Sequence, residues 1–402
     1  MKMDFADAMR AATQLTRAQR LMEATRLIQG ALLLGRGQLQ SGSPGEQVVE
    51  GRAIEQRLID LSPEITRLEV KAATWPTGDV TATLRQDKLP GFGLDGLAGV
   101  RPRKALKIPD GAQFLNRSYA CAAGSRSYKL YIPHRRHAGR PRLLVMLHGG
   151  TQDADDFAAG TRMNALAEEH GLIVAYPSQC KSANATLCWN WFKPEDQMRG
   201  SGEPFIIAGI TSEIAAEYGI DPECVYVAGL SAGGAMAAVM GATYPELYTA
   251  VGVHSGLAYR SATDVVSAFA AMRGDTGLRY RSQRKSHCGA DNDARVRTIV
   301  FHGAADRIVH PSNAEKIIKA QAKIGDSVER ANTRPSAGRA YSRAIIRDKI
   351  GASVVEQWLI DGSGHAWSGG SADGTYTDPH GPDASREMLR FFFEEPPRLR
   401  DD

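Results

Sequence analysis

Short apolar runs alternate with amphipathic stretches from about residue 112 onward, and this alternation constrains the fold more than any other feature of the sequence. Two of these runs are RLLVMLHGG (142–150) and VRTIVFHG (296–303). Runs of this length indicate strands buried on both faces, as in parallel sheets covered by helices. Further strands are predicted at 127–132, 172–177, 224–230, 250–256 and 353–362, and helices at 163–171, 205–219, 233–245 and 383–395. We therefore expect an α/β fold, with a mostly parallel sheet of about eight strands and helices on both faces.

A different pattern precedes this region. Within residues 1 to about 70, apolar side chains recur at three- and four-residue steps, which is typical of an amphipathic helix. The stripe consists of Leu15, Ala18, Leu21, Met22, Thr25, Ile28 and Leu32. Prolines and glycines follow without periodicity, so we divide the chain into a helical and irregular arm (1–105) and an α/β domain (106–402). Because such a helix is marginal alone in water, we expect the arm to pack on the α/β domain or to form a homo-oligomer.

The charge balance and the missing motifs exclude several classes of protein. Lys and Arg exceed Asp and Glu by 49 − 45 = 4, too small an excess to indicate nucleic-acid binding. No HExxH, GxxxxGK[ST] or CxxC pattern occurs, so we expect neither a metal nor another cofactor. No run approaches the roughly 20 apolar residues that span a bilayer, and no secretory signal is visible, so we expect a cytoplasmic protein. Cys180 and Cys188 flank a short loop and could form a disulfide, but reduced thiols suit that compartment better.

The sharpest local signal is Gly229-Leu230-Ser231-Ala232-Gly233, a GxSxG pentapeptide. It follows the predicted strand CVYVAGL and opens the predicted helix GGAMAAV. A tight strand-to-helix turn of this kind exposes a serine hydroxyl at the carboxyl end of the sheet, and the flanking glycines leave room for the turn. A bare GxSxG can occur by chance in a glycine-rich chain, but this strand–turn–helix context favours a nucleophilic Ser231.

A serine nucleophile needs a base and an acid that orients the base. In this fold class the order along the chain is Ser, then Asp or Glu, then His. Asp306 follows the strand that ends at His302-Gly303, and His365 follows the strand at 353–362, so both belong to the rim that carries Ser231. We predict Asp306 as the acid and His365 as the base. The alternatives that remain open are His254, His302, His310 and Asp361.

The oxyanion of an acyl-transfer intermediate needs two backbone N–H donors. We predict Ala232, the residue after the nucleophile, and Gly150 in the loop HGGT after an early strand. The cluster CWNWF contributes Trp189 and Trp191, and Trp367 follows His365 by two residues. We predict that these three tryptophans bind substrate as a cleft wall, with ordinary core packing as the alternative.

Several motifs occur together in order: LHGGTQDADDF, CWNWF with DQMRGSGEP, VYVAGLSAGG, VGVHSGL, HGAADRIVHPSN and GHAWSGG. Over residues 115–395 the chain resembles the PHB-depolymerase-type esterases of the α/β-hydrolase superfamily. The resemblance implies Ser231 as nucleophile, Asp306 as acid, His365 as base and Gly150 as an oxyanion donor. Many members of that family carry Cys in place of Gly150, in the string LHGCTQ.

The resemblance also implies a substrate class. Members hydrolyse poly(3-hydroxybutyrate) and similar short-chain polyesters, or feruloyl, acetyl-xylan and other small esters. No linker or polymer-binding domain is recognisable here, which favours hydroxyalkanoate oligomers, small esters or amorphous polymer. We expect a serine carboxylic-ester hydrolase, with a feruloyl or acetyl-xylan-type esterase, or an acyltransferase on the same three residues, as alternatives. A non-catalytic granule-binding protein fits the complete Ser, Asp and His set poorly.

Overall fold

The computed structural model describes residues 106–135, 139–275 and 295–394. Its strands are β1 (Gln113–Cys121), β2 (Gly124–Ile132), β3 (Arg142–Leu147), β4 (Leu172–Pro177), β5 (Val225–Leu230), β6 (Ala250–His254), β7 (Arg297–Gly303), β8 (Ser327–Thr333), β9 (Tyr341–Arg347), β10 (Ser353–Ile360), β11 (Trp367–Ser368) and β12 (Thr377–Asp378). Its α-helices are α1 (Ala154–Thr161), α2 (Met163–His170), α3 (Gly202–Tyr218), α4 (Ala232–Thr243), α5 (Val265–Met272), α6 (Ser312–Gln321) and α7 (Ala384–Phe393). Short 3₁₀ turns lie at Pro194–Gln197 and Pro222–Cys224.

The described residues form one ten-stranded sheet in the order β1-β2-β4-β3-β5-β6-β7-β10-β9-β8. The six central strands, from β4 to β10, run parallel, and the outer strands pair antiparallel. This arrangement confirms the predicted α/β-hydrolase fold. The sheet has more than the eight strands expected, because β1, β8 and β9 have no continuous apolar run and were not predicted. In β8 (SVERANT) nearly every residue is exposed, so no apolar pattern marks it as a strand.

Alternate side chains of the central strands enter two separate cores. In β5, Val225 and Val227 belong to the core on the α3 and α4 face. Tyr226, Ala228 and Leu230 belong to the core on the opposite face, together with residues of α1, α2 and α7. Burial on both faces explains why the central strands are apolar at nearly every position. The carboxyl ends of these strands meet at a single edge, and the loops that leave this edge carry the residues predicted to act.

The predicted arm, residues 1–105, lies outside the described residues. Within the described ranges, no helix is both long and apolar enough to cross a membrane.

Candidate active site

Ser231 occupies a sharp turn between β5 and α4. Its backbone angles are φ 56° and ψ −117°, a conformation that a residue with a side chain rarely adopts. The turn is held from both sides, because Ser231 N–H donates to the His254 carbonyl (2.8 Å) and Ala235 N–H donates to the Ser231 carbonyl (2.9 Å). Strain that the surroundings enforce in this way is typical of a functional site.

The two glycines of the pentapeptide are required by close approach of the backbone. A Cβ at Gly229 would lie 2.4 Å from the Gly233 carbonyl carbon and oxygen. A Cβ at Gly233 would lie 2.0 Å from the Leu147 carbonyl oxygen and 2.5 Å from that of His148. The turn therefore packs directly on the end of β3, where the HGGT loop begins.

Replacement of Gly233 by alanine is expected to destabilise the protein by more than about 4 kcal/mol, because the clash is with backbone rather than with a movable side chain. Gly139→Ala is the matched control, since nothing lies within 4 Å of the added methyl group there. The soluble yield and the midpoint of urea unfolding are measured for both variants. A soluble Gly233→Ala protein with the wild-type midpoint would contradict this packing.

His365 and Asp306 are in direct contact across 59 residues of sequence: His365 Nδ1 lies 2.7 Å from Asp306 Oδ2. The other carboxylate oxygen of Asp306 accepts from the N–H groups of Ile308 and Val309, both at 2.9 Å. Burial raises the pKa of Asp306, but the His365 hydrogen bond and charge and the Val309 N–H outweigh it, so this pKa lies below its usual value. An ionised Asp306 accepts a hydrogen bond from His365 Nδ1–H, which leaves Nε2 as the basic nitrogen of the ring.

Within the described ranges, His365 hydrogen-bonds Asp306 and makes no hydrogen bond to Ser231. Both residues lie at the carboxyl edge of the sheet, Ser231 after β5 and His365 after β10. The hydrogen bond between a catalytic serine and its base is often long before substrate binds and shortens in the reacting complex.

Two of the rival histidines are buried, and the third histidine and the rival acid are exposed. His254 is buried between the rings of Phe301 and Trp367, and burial lowers its pKa to about 3. His302 is buried and donates from Nε2 to the Val309 carbonyl (2.8 Å), so it supports the Asp306 loop. The remaining two alternatives, His310 and Asp361, are exposed.

The two predicted oxyanion donors have free amides. In the part of the chain that the structure describes, neither Gly150 N–H nor Ala232 N–H donates to another protein group. Ala232 is the first residue of α4, where helix geometry leaves N–H groups without partners. The amide of Thr151 is occupied, since it donates to the Thr186 carbonyl (2.8 Å).

Buried polar side chains support the HGGT loop, and no sequence motif predicts them. Gln152 Oε1 accepts from Gly149 N–H (2.9 Å), and its amide donates to Asp156 Oδ2 (2.9 Å). His148 is also buried, which lowers its pKa; its Nε2 accepts from Gln179 N–H (3.0 Å) and its Nδ1 lies 2.7 Å from the Gly149 carbonyl. These contacts fix the peptide that precedes Gly150.

Glu203 is the centre of a second buried network of hydrogen bonds, which adjoins the same loop through Gln179. Its carboxylate accepts from Arg126 Nη2 (3.1 Å), Asn190 N–H (2.7 Å) and the Gln179 amide (2.5 Å). Burial and the nearby Glu203 charge raise the pKa of Asp196 to about 6. The centre links β2, the segment after β4 and the CWNWF cluster, so it holds that cluster in place.

The predicted tryptophan wall needs correction. Trp189 (0% exposed) donates from Nε1 to the His148 carbonyl (3.1 Å), so it supports the HGGT loop (148–151), which is the oxyanion loop of the candidate site. Trp367 (1% exposed) packs edge-on against Phe157 and donates to Ser385 Oγ (3.0 Å). Trp191 is also buried and belongs to the core on the α3 and α4 face. The rings fill the interior because large apolar surfaces are most stable there, so the alternative of core packing describes them better.

Cys180 and Cys188 are both free thiols. Cys188 instead lies beside Gly150: a Cβ at Gly150 would be 3.8 Å from the Cys188 Cβ and 3.6 Å from its sulfur. Separations near 3.8 Å between Cβ atoms are typical of disulfides.

Replacement of Gly150 by cysteine is therefore expected to form a disulfide with Cys188 and to raise the free energy of unfolding by about 3 to 4 kcal/mol. The donor at position 150 is a backbone N–H, so activity should persist. Oxidised and reduced Gly150→Cys are compared by urea unfolding, with Gly150→Cys/Cys188→Ser as the control. Two titratable thiols at these positions after unfolding without reductant would contradict the prediction.

Comparisons with known proteins relate this chain to several esterases. The family model described as esterase PHB depolymerase matches residues 126–342. Poly(3-hydroxyalkanoate) depolymerase C of Paucimonas lemoignei is 31% identical over 252 residues, which cover 62% of this chain and 58% of that protein. Feruloyl esterase B of Neurospora crassa is 29% identical over 65% of this chain and 86% of its own length. Among solved structures, an acetyl xylan esterase from Aspergillus awamori superimposes with a TM-score of 0.54 at 21% identity, covering 70% of this chain and 98% of that one.

Proposed function

The chain belongs to the esterase PHB depolymerase family, and on that premise we propose that it hydrolyses carboxylic esters through a covalent acyl intermediate on Ser231. The observation that carries the proposal is the 2.7 Å contact between His365 Nδ1 and Asp306 Oδ2 at the edge where the strained Ser231 turn also lies. An oriented imidazole and a partly accessible serine on a strained turn are the two parts that serine catalysis requires.

In the proposed first half-reaction, Ser231 Oγ attacks the ester carbonyl carbon while His365 Nε2 takes the hydroxyl proton. The carbonyl oxygen becomes an oxyanion that accepts from Gly150 N–H and Ala232 N–H. When the intermediate collapses, the bond to the alcohol oxygen breaks and His365 returns its proton to that oxygen. Asp306 stabilises the imidazolium that exists between these two transfers.

In the second half-reaction, water attacks the acyl-Ser231 ester. His365 takes one proton from this water, and the same N–H pair holds the second oxyanion. Collapse breaks the bond to Ser231 Oγ, which recovers the proton from His365, and the carboxylic acid leaves. No proton or electron is left over, so the cycle needs no cofactor.

We infer that the substrates are short-chain hydroxyalkanoate oligomers or polyesters, or small esters of comparable size. The relatives named above, a poly(3-hydroxyalkanoate) depolymerase and a feruloyl esterase, delimit this range. The near balance of acidic and basic residues, with a formal net charge of +4, suits an uncharged ester.

A substrate panel tests the proposal. Acetyl, butyryl, hexanoyl, 3-hydroxybutyryl and feruloyl esters and a suspension of amorphous poly(3-hydroxybutyrate) are compared with wild type and Ser231→Ala at matched concentration. We expect turnover of short acyl esters by wild type and none above background by the variant. Equal rates in the two proteins would refute Ser231 as the nucleophile, and hydrolysis restricted to feruloyl esters would exclude the hydroxyalkanoate assignment.

A further inference from the structure

Tyr376 is a large aromatic residue that is exposed at the proposed site. The residue is 42% exposed, and it belongs to neither of the two main buried cores. Its ring stands edge-on to the His365 ring, with the centroids 6.5 Å apart. Its hydroxyl lies 3.2 Å from Thr151 Oγ1, next to the oxyanion donor Gly150. The phenol thus bridges the proposed base and the oxyanion loop at the surface.

The backbone of Tyr376 is held in an unfavourable conformation. Its φ is 53°, in the left-handed region that a bulky residue rarely occupies. On one side, Thr375 N–H donates to buried Asp156 (3.0 Å). At Tyr376 itself, the carbonyl accepts from Trp367 N–H (2.7 Å), and on the other side Thr377 pairs with Trp367 between β12 and β11. The neighbours therefore fix the strained residue on both sides.

Core packing does not explain why the strained backbone conformation of Tyr376 is retained, because its ring is exposed. A glycine would adopt this φ at little cost, and an exposed ring gains little from core contacts. The chain instead places a ring with one polar tip beside His365. An aromatic side chain with this arrangement offers a flat apolar contact to a ligand.

We propose that Tyr376 contacts the alcohol part of the bound ester and selects for alcohols with a flat apolar face, such as benzyl or aryl groups. The inference rests on the proposed function. His365 must reach the departing alcohol oxygen, and the oxyanion loop holds the carbonyl oxygen, so a ring that bridges the two lies on the alcohol side of the scissile bond. The acyl group then extends away from Tyr376.

Two series of ester substrates distinguish effects on the alcohol side of the scissile bond from effects on the acyl side. In the first, the acyl group is acetyl and the alcohol is methyl, butyl or benzyl; in the second, the alcohol is methyl and the acyl group grows from acetyl to hexanoyl. Wild type is compared with Tyr376→Gly and Tyr376→Ala, which both lack the ring and differ in backbone strain. We expect the ratio of kcat/KM for benzyl over methyl acetate to fall roughly tenfold in both variants, mainly through KM. The ratios of kcat/KM within the acyl series should be the same in the variants as in wild type.

Further comparisons among the variants decide the outcome. Tyr376→Phe keeps the ring and loses the contact with Thr151, so it should keep most of the benzyl preference. Tyr376→Gly should have a higher melting temperature than Tyr376→Ala, yet the same selectivity; different selectivity in these two would show that strain, not the ring, acts. A ratio within twofold of wild type, or a change confined to the acyl series, would overturn the inference. Ser231→Ala, assayed in parallel, distinguishes a failure of the Tyr376 inference from a failure of the proposed function. Activity in that variant refutes the proposed function itself.

Discussion

Replacement of Ser231 by alanine is expected to lower kcat for p-nitrophenyl acetate by about 10⁶-fold while the melting temperature stays near that of wild type. The rate falls because no other group supplies the attacking oxygen, and His365 then has no hydroxyl to activate. Stability should change little, since Ala retains the Cβ and therefore the same strain at φ 56°. The measurement is steady-state kinetics together with thermal unfolding.

Ser231→Gly is the companion variant, because it also lacks the hydroxyl but relieves the positive φ. It should be as inactive as Ser231→Ala and more stable than it by about 1 kcal/mol. Activity within a hundredfold of wild type in either variant would contradict the assignment of the nucleophile. Inactivity accompanied by unfolding would not count as support, which is why both properties are measured.

Replacement of Asp306 by asparagine is expected to lower kcat by about 10⁴-fold. The asparagine oxygen can still accept from the Ile308 and Val309 amides, so the loop should keep its shape. Its amide nitrogen then faces His365 Nδ1, and a donor in that place forces the proton onto Nε2. The ring would present an N–H, not a basic nitrogen, to Ser231.

Asp361→Asn provides the matched control, because Asp361 is an exposed acid on the same rim, four residues before His365. That variant should keep kcat within about twofold of wild type, as surface changes rarely reach a site. If Asp361→Asn lost activity and Asp306→Asn kept it, the acid would be assigned to the wrong residue.

Much of the central sheet was predictable from the sequence because burial on both faces leaves a direct pattern. The runs LIVAYP and CVYVAGL became β4 and β5, within one residue of the predicted limits. The outer strands escaped prediction for the opposite reason. A strand such as β8 is held by backbone pairing to β9 and exposes its side chains, so its residues need no apolar pattern.

The candidate site was predictable where local backbone geometry constrains the residue types, as at Gly229 and Gly233. The buried hydrogen bonds that support the oxyanion loop were not predictable from the sequence, because they join distant parts of the chain. Gln152 and Thr375 are 223 residues apart in sequence and meet only in the folded protein. The tryptophans of CWNWF were assigned to a cleft wall because an aromatic cluster has the same sequence pattern in a cleft and in a core. Their burial and the contact of Trp189 with the His148 carbonyl show that they pack in the core.

Covalent labelling identifies the nucleophile directly. The protein is incubated with a fluorophosphonate, which reacts with activated serines, and digested, and the modified peptide is sequenced by mass spectrometry. We expect one adduct, on Ser231, formed in step with the loss of esterase activity and formed far more slowly in Asp306→Asn. Complete inactivation with the adduct on another residue, or full labelling of Ser231 with esterase activity intact, would contradict the assignment of Ser231 as the nucleophile.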